Sequence, residues 1–296
     1  LHGVPVLVKD QAETAGIRTT FGSAVFSEYV PAEDATVVTK LREAGAIVLA
    51  KTNLCDWAAS WFGYSSVIGR TKNPYALDRD PGGSSAGTGA GVAANLGTVG
   101  IGEDTGGSVR LPAGYCNLFG MRVTTGLVSR TGFAPLVARQ DTPGPMARTA
   151  EDMARLLDVI TGYDGADRWT GATAAVTRES FVDSLDPDAL DGARIGVLRQ
   201  AFGSRENPEA ASVSAVVEDA LDALSDAGAT VVDPVAIPDL EAQLDDTSLY
   251  VLQGKRDLNE FLAARGDAPA DSIEDVEAAG GCHEHVADLF EAMLDG

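Results

Sequence analysis

Two serine-bearing loops bracket the middle of residues 80–116, DPGGSSAGTGAGVAANLGTVGIGEDTGGSVRLPAGYC. The first is Gly82-Gly83-Ser84-Ser85, and the second is Asp104-Thr105-Gly106-Gly107-Ser108-Val109-Arg110. A serine hydroxyl becomes a nucleophile when a neighbouring base takes its proton. Consecutive amides around Thr105, Gly106, Gly107 and Ser108 could form a nest for a developing oxyanion. A nucleophile beside its own anion hole is the layout a hydrolase needs. Phosphate-binding alternatives lack their residues: there is no Gly-Lys-Ser/Thr, and Gly87, Gly89 and Gly91 miss the G-x-G-x-x-G spacing. On residues alone, catalysis stands beside a structural or anion-binding role for these loops.

The segments between the loops must position them. Ten of the 33 glycines fall between Gly82 and Gly107. Glycine costs about 1 kcal/mol in a helix relative to alanine, so this density implies close backbone approach, positive φ, or both. Residues 86–96 predict a tightly packed small-residue helix, and 97–102 a short buried strand, each with a serine loop at one end. Upstream, the apolar, β-branched run 3–8 predicts a buried strand ending at Lys9. Asp34 is placed to cap a helix through Glu43 that Gly45 stops, followed by a strand over 46–50. Lys51 falls at that strand's end and is read as supporting the cleft. Trp57, Trp61, Phe62 and Tyr64 read as core or as the wall of a substrate pocket.

The stretch resembles the signature of the amidase signature family, which joins GGSS to a later D-x-G-G-S-[aliphatic]-R-x-P, here Gly82 to Ser85 and Asp104 to Pro112. Ser84 and Ser108 keep the family's separation, and Leu1-His2-Gly3-Val4-Pro5-Val6-Leu7-Val8-Lys9-Asp10 resembles its lysine motif. Similarity of style continues to about Asp164. The resemblance implies an α/β fold with a mixed central β-sheet covered by α-helices on both faces, incomplete at both ends. It implies a cis Gly83–Ser84 peptide and a relay in which neutral Lys9 takes a proton from Ser84, Ser84 takes one from Ser108, and Ser108 attacks an amide carbonyl. Thr105, Gly106, Gly107 and Ser108 are then the oxyanion hole, and Asp104, Arg110 and Ser85 support the loops. No metal or other cofactor is expected. Glu103 departs from the family, which has a small hydroxyl residue there; it is read as facing solvent or altering pocket charge. The segment from Gln140 to Arg148 resembles the family's D-x-x-G-P-[MF]-A-R element, and Asp141-Thr142-Pro143 looks more like stand-alone amidases than like the glutaminase subunit of tRNA-dependent amidotransferases. Thr149 and Asp152 form a capping box for a helix to about Thr161.

Beyond Asp164 the pattern weakens. A polar connection over 166–190 precedes a strand at 194–198, a helix at 208–227 and a strand at 229–233, a unit consistent with the same sheet. Acidic helices are expected over 240–265 and 272–294. The whole, 1–296, is expected as a single amidase domain, with 1–164 as its signature region and 165–296 as a variable, acidic part that shapes the substrate pocket. The formal net charge is −22, and from Ala201 onward there are four basic and 22 acidic residues. Such acidity argues against a nucleic-acid partner, and no run of 18 apolar residues suggests a membrane span. The expected partner is a small-molecule amide, with a homo-oligomer left open. Three scattered cysteines, Cys55, Cys116 and Cys282, suggest a reducing, cytoplasmic setting, and the scarcity of lysine suggests a salt-rich one. Cys282, His283 and His285 match no four-ligand metal spacing.

Overall fold

The computed structural model describes residues 1–175 and 179–295. Of the expected polar connection over 166–190, residues 176–178 lie outside those described. The chain divides into two compact units, Leu1–Asp183 with Leu249–Gly296, and Ser184–Ser248.

The first unit opens with β1 (Pro5–Lys9), α1 (Thr36–Glu43) and β2 (Ile47–Thr52). A small hairpin of β3 (Tyr64–Ser65) and β4 (Gly69–Arg70) precedes α2 (Ala86–Ala93), β5 (Val99–Asp104), α3 (Arg110–Tyr115), β6 (Phe119–Gly120), β7 (Thr142–Ala147) and α4 (Ala150–Ile160). The central sheet has the order β2-β1-β5-β7-β6. β1 runs parallel to β2 and β5, whereas β7 is antiparallel to β5 and β6. The sheet is therefore mixed, and helices flank it.

Alternation along the strands explains the two faces. Val6, Val8, Val99 and Ile101 join Val37, Val38 and Leu41 of α1 and Leu156, Leu157 and Ile160 of α4 in one core cluster. The opposite face takes α2. There a Cβ on Gly100 would lie 2.4 Å from Thr88 Cγ2, and a Cβ on Gly91 or Gly97 would lie 2.6 Å from the Leu7 side chain. Small residues in this segment thus serve close helix-on-sheet packing.

Asp34 does not cap α1: the N-cap is Ala35, without a side-chain bond. The Asp34 carboxylate instead accepts from the Ala15 amide and pairs with Arg42. Thr149 does cap α4, its Oγ1 accepting from the Asp152 amide at 3.0 Å.

The second unit holds β8 (Arg194–Leu198), α5 (Pro208–Asp226), β9 (Thr230–Val235) and α6 (Leu240–Asp246). The parallel pair β8–β9 forms its own two-stranded sheet rather than extending the central one. Asn207 caps α5 by accepting from the amides of Glu209 and Ala210. The chain then returns to the first unit as α7 (Tyr250–Ala263), α8 (Ile273–Ala278) and α9 (Ala287–Asp295). Leu258, Leu262, Ile273, Val276, Phe290 and Met293 from these helices bury against Phe21, Phe26, Trp57, Leu136 and Val137. No helix among the described residues is long and apolar enough to cross a membrane.

Candidate active site

The C-terminal end of β1 delivers Lys9 into the protein with 0% exposure. Its Nζ donates to Ser84 Oγ at 2.8 Å and to the Glu103 carbonyl at 3.2 Å. Burial holds the Lys9 pKa below the usual lysine range, with Glu103 the main opposing charge. Lys51, by contrast, is committed to Asp10 Oδ1 and Thr19 Oγ1, each at 2.8 Å.

Ser84 precedes α2, and the Gly83–Ser84 peptide is cis. Gly83 sits where a Cβ would come within 2.6 Å of the Phe62 carbonyl oxygen. The Ser85 amide donates to the Ser108 carbonyl at 3.2 Å, which ties the two serine loops together. Ser85 Oγ also exchanges 3.3 Å bonds with the Glu103 backbone, accepting from its amide and donating to its carbonyl.

The second loop turns around Asp104. Its carboxylate accepts from the amides of Gly107, Val109 and Arg110 at 2.8, 3.1 and 3.3 Å. The Arg110 side chain adds two 3.1 Å bonds, and Arg122 lies at 3.4 Å. Burial opposes the Asp104 charge, but Arg110 and these amides outweigh it and hold the carboxyl below its usual range. The Gly107 amide is thus occupied. The amides of Thr105, Gly106 and Ser108 make none of the backbone or side-chain hydrogen bonds found among the described residues.

Ser108 lines a cavity of about 330 Å³ together with Trp61, Phe62, Leu136, Tyr250 and Leu289, and with His285 and Asp288. Trp61 and Phe62 are half exposed, at 53% and 51%, while Trp57 is core. Trp61 Nε1 donates to the Gly106 carbonyl at 3.2 Å. Tyr250 at the start of α7 presses on the loop so closely that a Cβ on Gly106 would fall 1.9 Å from its Oη.

Two residues beside the site, Asp141 and Tyr250, are given no site role by sequence reasoning. Asp141 is buried, accepts from Thr105 Oγ1 at 2.5 Å, and accepts from the amides of Leu136 and Val137. Burial pushes its pKa up to about 6. Tyr250 stands in a helix whose sequence carries no site signal. Of the two readings of Glu103, facing solvent or altering pocket charge, the first is removed: Glu103, near the end of β5, is 1% exposed.

The chain matches the amidase family over residues 1–284. The chain belongs to the amidase signature family. It is 39% identical over 290 residues to the A subunit of the glutamyl-tRNA(Gln) amidotransferase of Carboxydothermus hydrogenoformans, an alignment covering 98% of this chain and 56% of that protein. This chain therefore spans little more than half the length of that curated relative. Native peptide amidase from Stenotrophomonas maltophilia superposes with a TM-score of 0.87 at 35% identity, over 100% of this chain and 62% of that one. The A subunit of the Thermotoga maritima glutamyl-tRNA(Gln) amidotransferase gives 0.75 at 31%, over 99% and 63%.

These names overturn the expectation that partners are confined to a small amide and, at most, a second copy, with nucleic acid excluded. Two of these amidase relatives are named as one subunit of an enzyme that is itself named for a tRNA. Net charge bears on direct contact with a phosphate backbone. It says nothing of a protein partner that makes that contact instead.

Proposed function

We propose that this amidase cleaves a carboxamide C–N bond through an acyl-enzyme on Ser108, with Ser84 and Lys9 as its proton relay. The 2.8 Å contact between Lys9 Nζ and Ser84 Oγ, with the lysine wholly buried, carries this reading. As a free amine, Nζ accepts the Ser84 proton along that line while Ser84 Oγ accepts the proton of Ser108. Ser108 Oγ bonds to the amide carbon, and the carbonyl oxygen becomes an oxyanion facing the uncommitted amides of Thr105, Gly106 and Ser108. The tetrahedral species collapses as the relay returns the proton to the leaving nitrogen. Water then attacks the acyl group with the same base, releasing the carboxylate and restoring Ser108. Asp104, Arg110 and Ser85 hold the two loops in register.

The curated relative's name, an amidotransferase A subunit, favours the glutaminase reading that the resemblance implies, in which glutamine is the amide and a partner protein uses the ammonia. A second reading, release of ammonia or amine to solvent, is favoured by the apolar cavity beside Ser108 and by the closer superposition on the peptide amidase. Ammonia release should be followed with glutamine, a short aliphatic amide, an aryl amide and a C-terminal peptide amide, with and without amidotransferase partner proteins. Turnover that vanishes in Ser108→Ala, with the fold retained, is expected. Hydrolysis that survives this substitution rules the mechanism out. Release from glutamine alone, and only with partners, selects the amidotransferase reading.

A further inference from the structure

Glu103 presents a buried side chain whose two carboxyl oxygens meet no hydrogen-bond donor among the described residues. Its Oε2 lies 3.7 Å from Lys9 Nζ, beyond hydrogen-bond distance, and Nζ bonds instead to Ser84 and the Glu103 carbonyl. An ionised pair closes to about 2.7–2.9 Å, and a buried carboxylate without donors is costly. A carboxylic acid beside a free amine avoids the cost of buried charge and leaves only the smaller one of a neutral polar group. We propose that Glu103 is a titrating partner of the Lys9 base: a neutral acid that holds a proton while Lys9 stands as an amine, and that strengthens the base once it ionises. This deepens, and rests on, the relay reading above.

The groups facing this pair come from several elements. Asp141 lies ahead of β7, Asp104 follows on β5 and is neutralised by Arg110 and Arg122, Cys55 follows β2, and Tyr250 opens α7. Burial pushes the Cys55 thiol up to about 12 and raises the Tyr250 phenol, so both stay neutral in the working range. Asp141, with three donors, is the more easily ionised of the two acids. Burial first, and Asp141 second, hold Glu103 well above the usual carboxyl range. Two protons therefore leave the Lys9–Glu103 pair as pH rises. The first loss creates the amine form, and the second leaves that amine beside a carboxylate that stabilises the ammonium formed during the relay.

The wild-type profile of kcat/KM should rise in two steps, roughly 1–3 pH units apart, the shift that one nearby charge imposes on another. Glu103→Gln should show the lower step only, with an alkaline plateau roughly tenfold lower, one pKa unit of base strength. Glu103→Asp should restore the second step. Infrared spectroscopy of the resting protein at pH 8 supplies a readout independent of turnover. A carboxylic-acid C=O band is expected, lost in Glu103→Gln or, if that variant does not fold, shifted in Glu103→Asp. Absence of the band, or a Glu103→Gln profile with the wild-type steps, overturns the proposal. A band with this dependence in a protein that hydrolyses no amide overturns the proposed function and leaves the protonated Glu103 standing.

Discussion

Tyr250 packs against the serine loop at Gly106, where a Cβ would fall 1.9 Å from its Oη. The Gly106 amide makes no hydrogen bond among the described residues, and its missing side chain is the space that Tyr250 Oη fills. Gly106→Ala must displace the loop or the phenol. Loss of one oxyanion donor typically costs about 100–1000-fold in rate, and a loss of that order in kcat is expected, with little change in fold. Tyr250→Phe removes the clashing oxygen, so the double variant should recover part of the loss. No recovery would place the damage in the loop backbone itself. Ser84, Ser108 and Lys9 are singled out in the sequence by the resemblance of three motifs in order, since on residues alone the serine loops fit a structural role as well and a lysine reads as a surface charge. Tyr250 is not singled out, since a tyrosine opening a helix more than a hundred residues away has no local pattern. For Glu103 the sequence leaves solvent exposure and an effect on pocket charge both open, because charge normally predicts exposure; its burial in the fold removes the first.

At the scale of elements, the serine loop depends on how closely α2 approaches the sheet. Gly100→Ala sets a methyl 2.4 Å from Thr88 Cγ2 and 3.0 Å from Val92 Cγ2, so α2 must move away from β5. Overpacking of this kind costs about 1–3 kcal/mol. Thr88→Ser removes the obstructing methyl and keeps the hydroxyl that bonds Thr52 Oγ1 and the Ile101 carbonyl. In denaturant titrations Gly100→Ala should lose stability and Gly100→Ala with Thr88→Ser should regain most of it. Additive losses would assign the glycine to backbone conformation instead. The small-residue composition announced this packing, just as the apolar run announced β1. β7 stayed hidden because Thr-Pro-Gly-Pro-Met-Ala has neither alternation nor β-branching, and proline argues against an inner strand. The register resolves the conflict. β6 pairs only with Met146 and Ala147, and the Pro145 carbonyl accepts from the Met121 amide. The missing N–H of Pro145 therefore falls on that outer side, where the ladder is already ending. The acidic C-terminal pattern likewise concealed its breaks: positive φ at Gly280 and Gly281 falls between α8 and α9 within a run that reads as one helix.

Across the whole molecule, charge is distributed unevenly, and the consequence is mechanical as well as chemical. The unit Ser184–Ser248 carries 14 acidic and three basic residues. Arg199 neutralises part of this by pairing with both Glu218 and Asp233, which joins α5 to β9. The remaining charges repel one another most strongly when the unit is compact. Salt shortens the range of that repulsion from about 10 Å at 0.1 M to about 3 Å at 1 M. Raising KCl should therefore protect this unit more than the central sheet, whose core is held by Val, Leu and Ile burial that screening does not touch. Hydrogen exchange read by mass spectrometry separates the two. Amides of α5, β8 and β9 should exchange markedly faster at 0.1 M than at 1 M KCl, while those of β1 and β5 change little, and most of the gain should be reached by 1 M. A uniform response of both units would point to salt acting on apolar hydration throughout. No response would mean that the acidic surface is already relaxed at low salt, and the salt-rich setting suggested by composition would lose its physical basis.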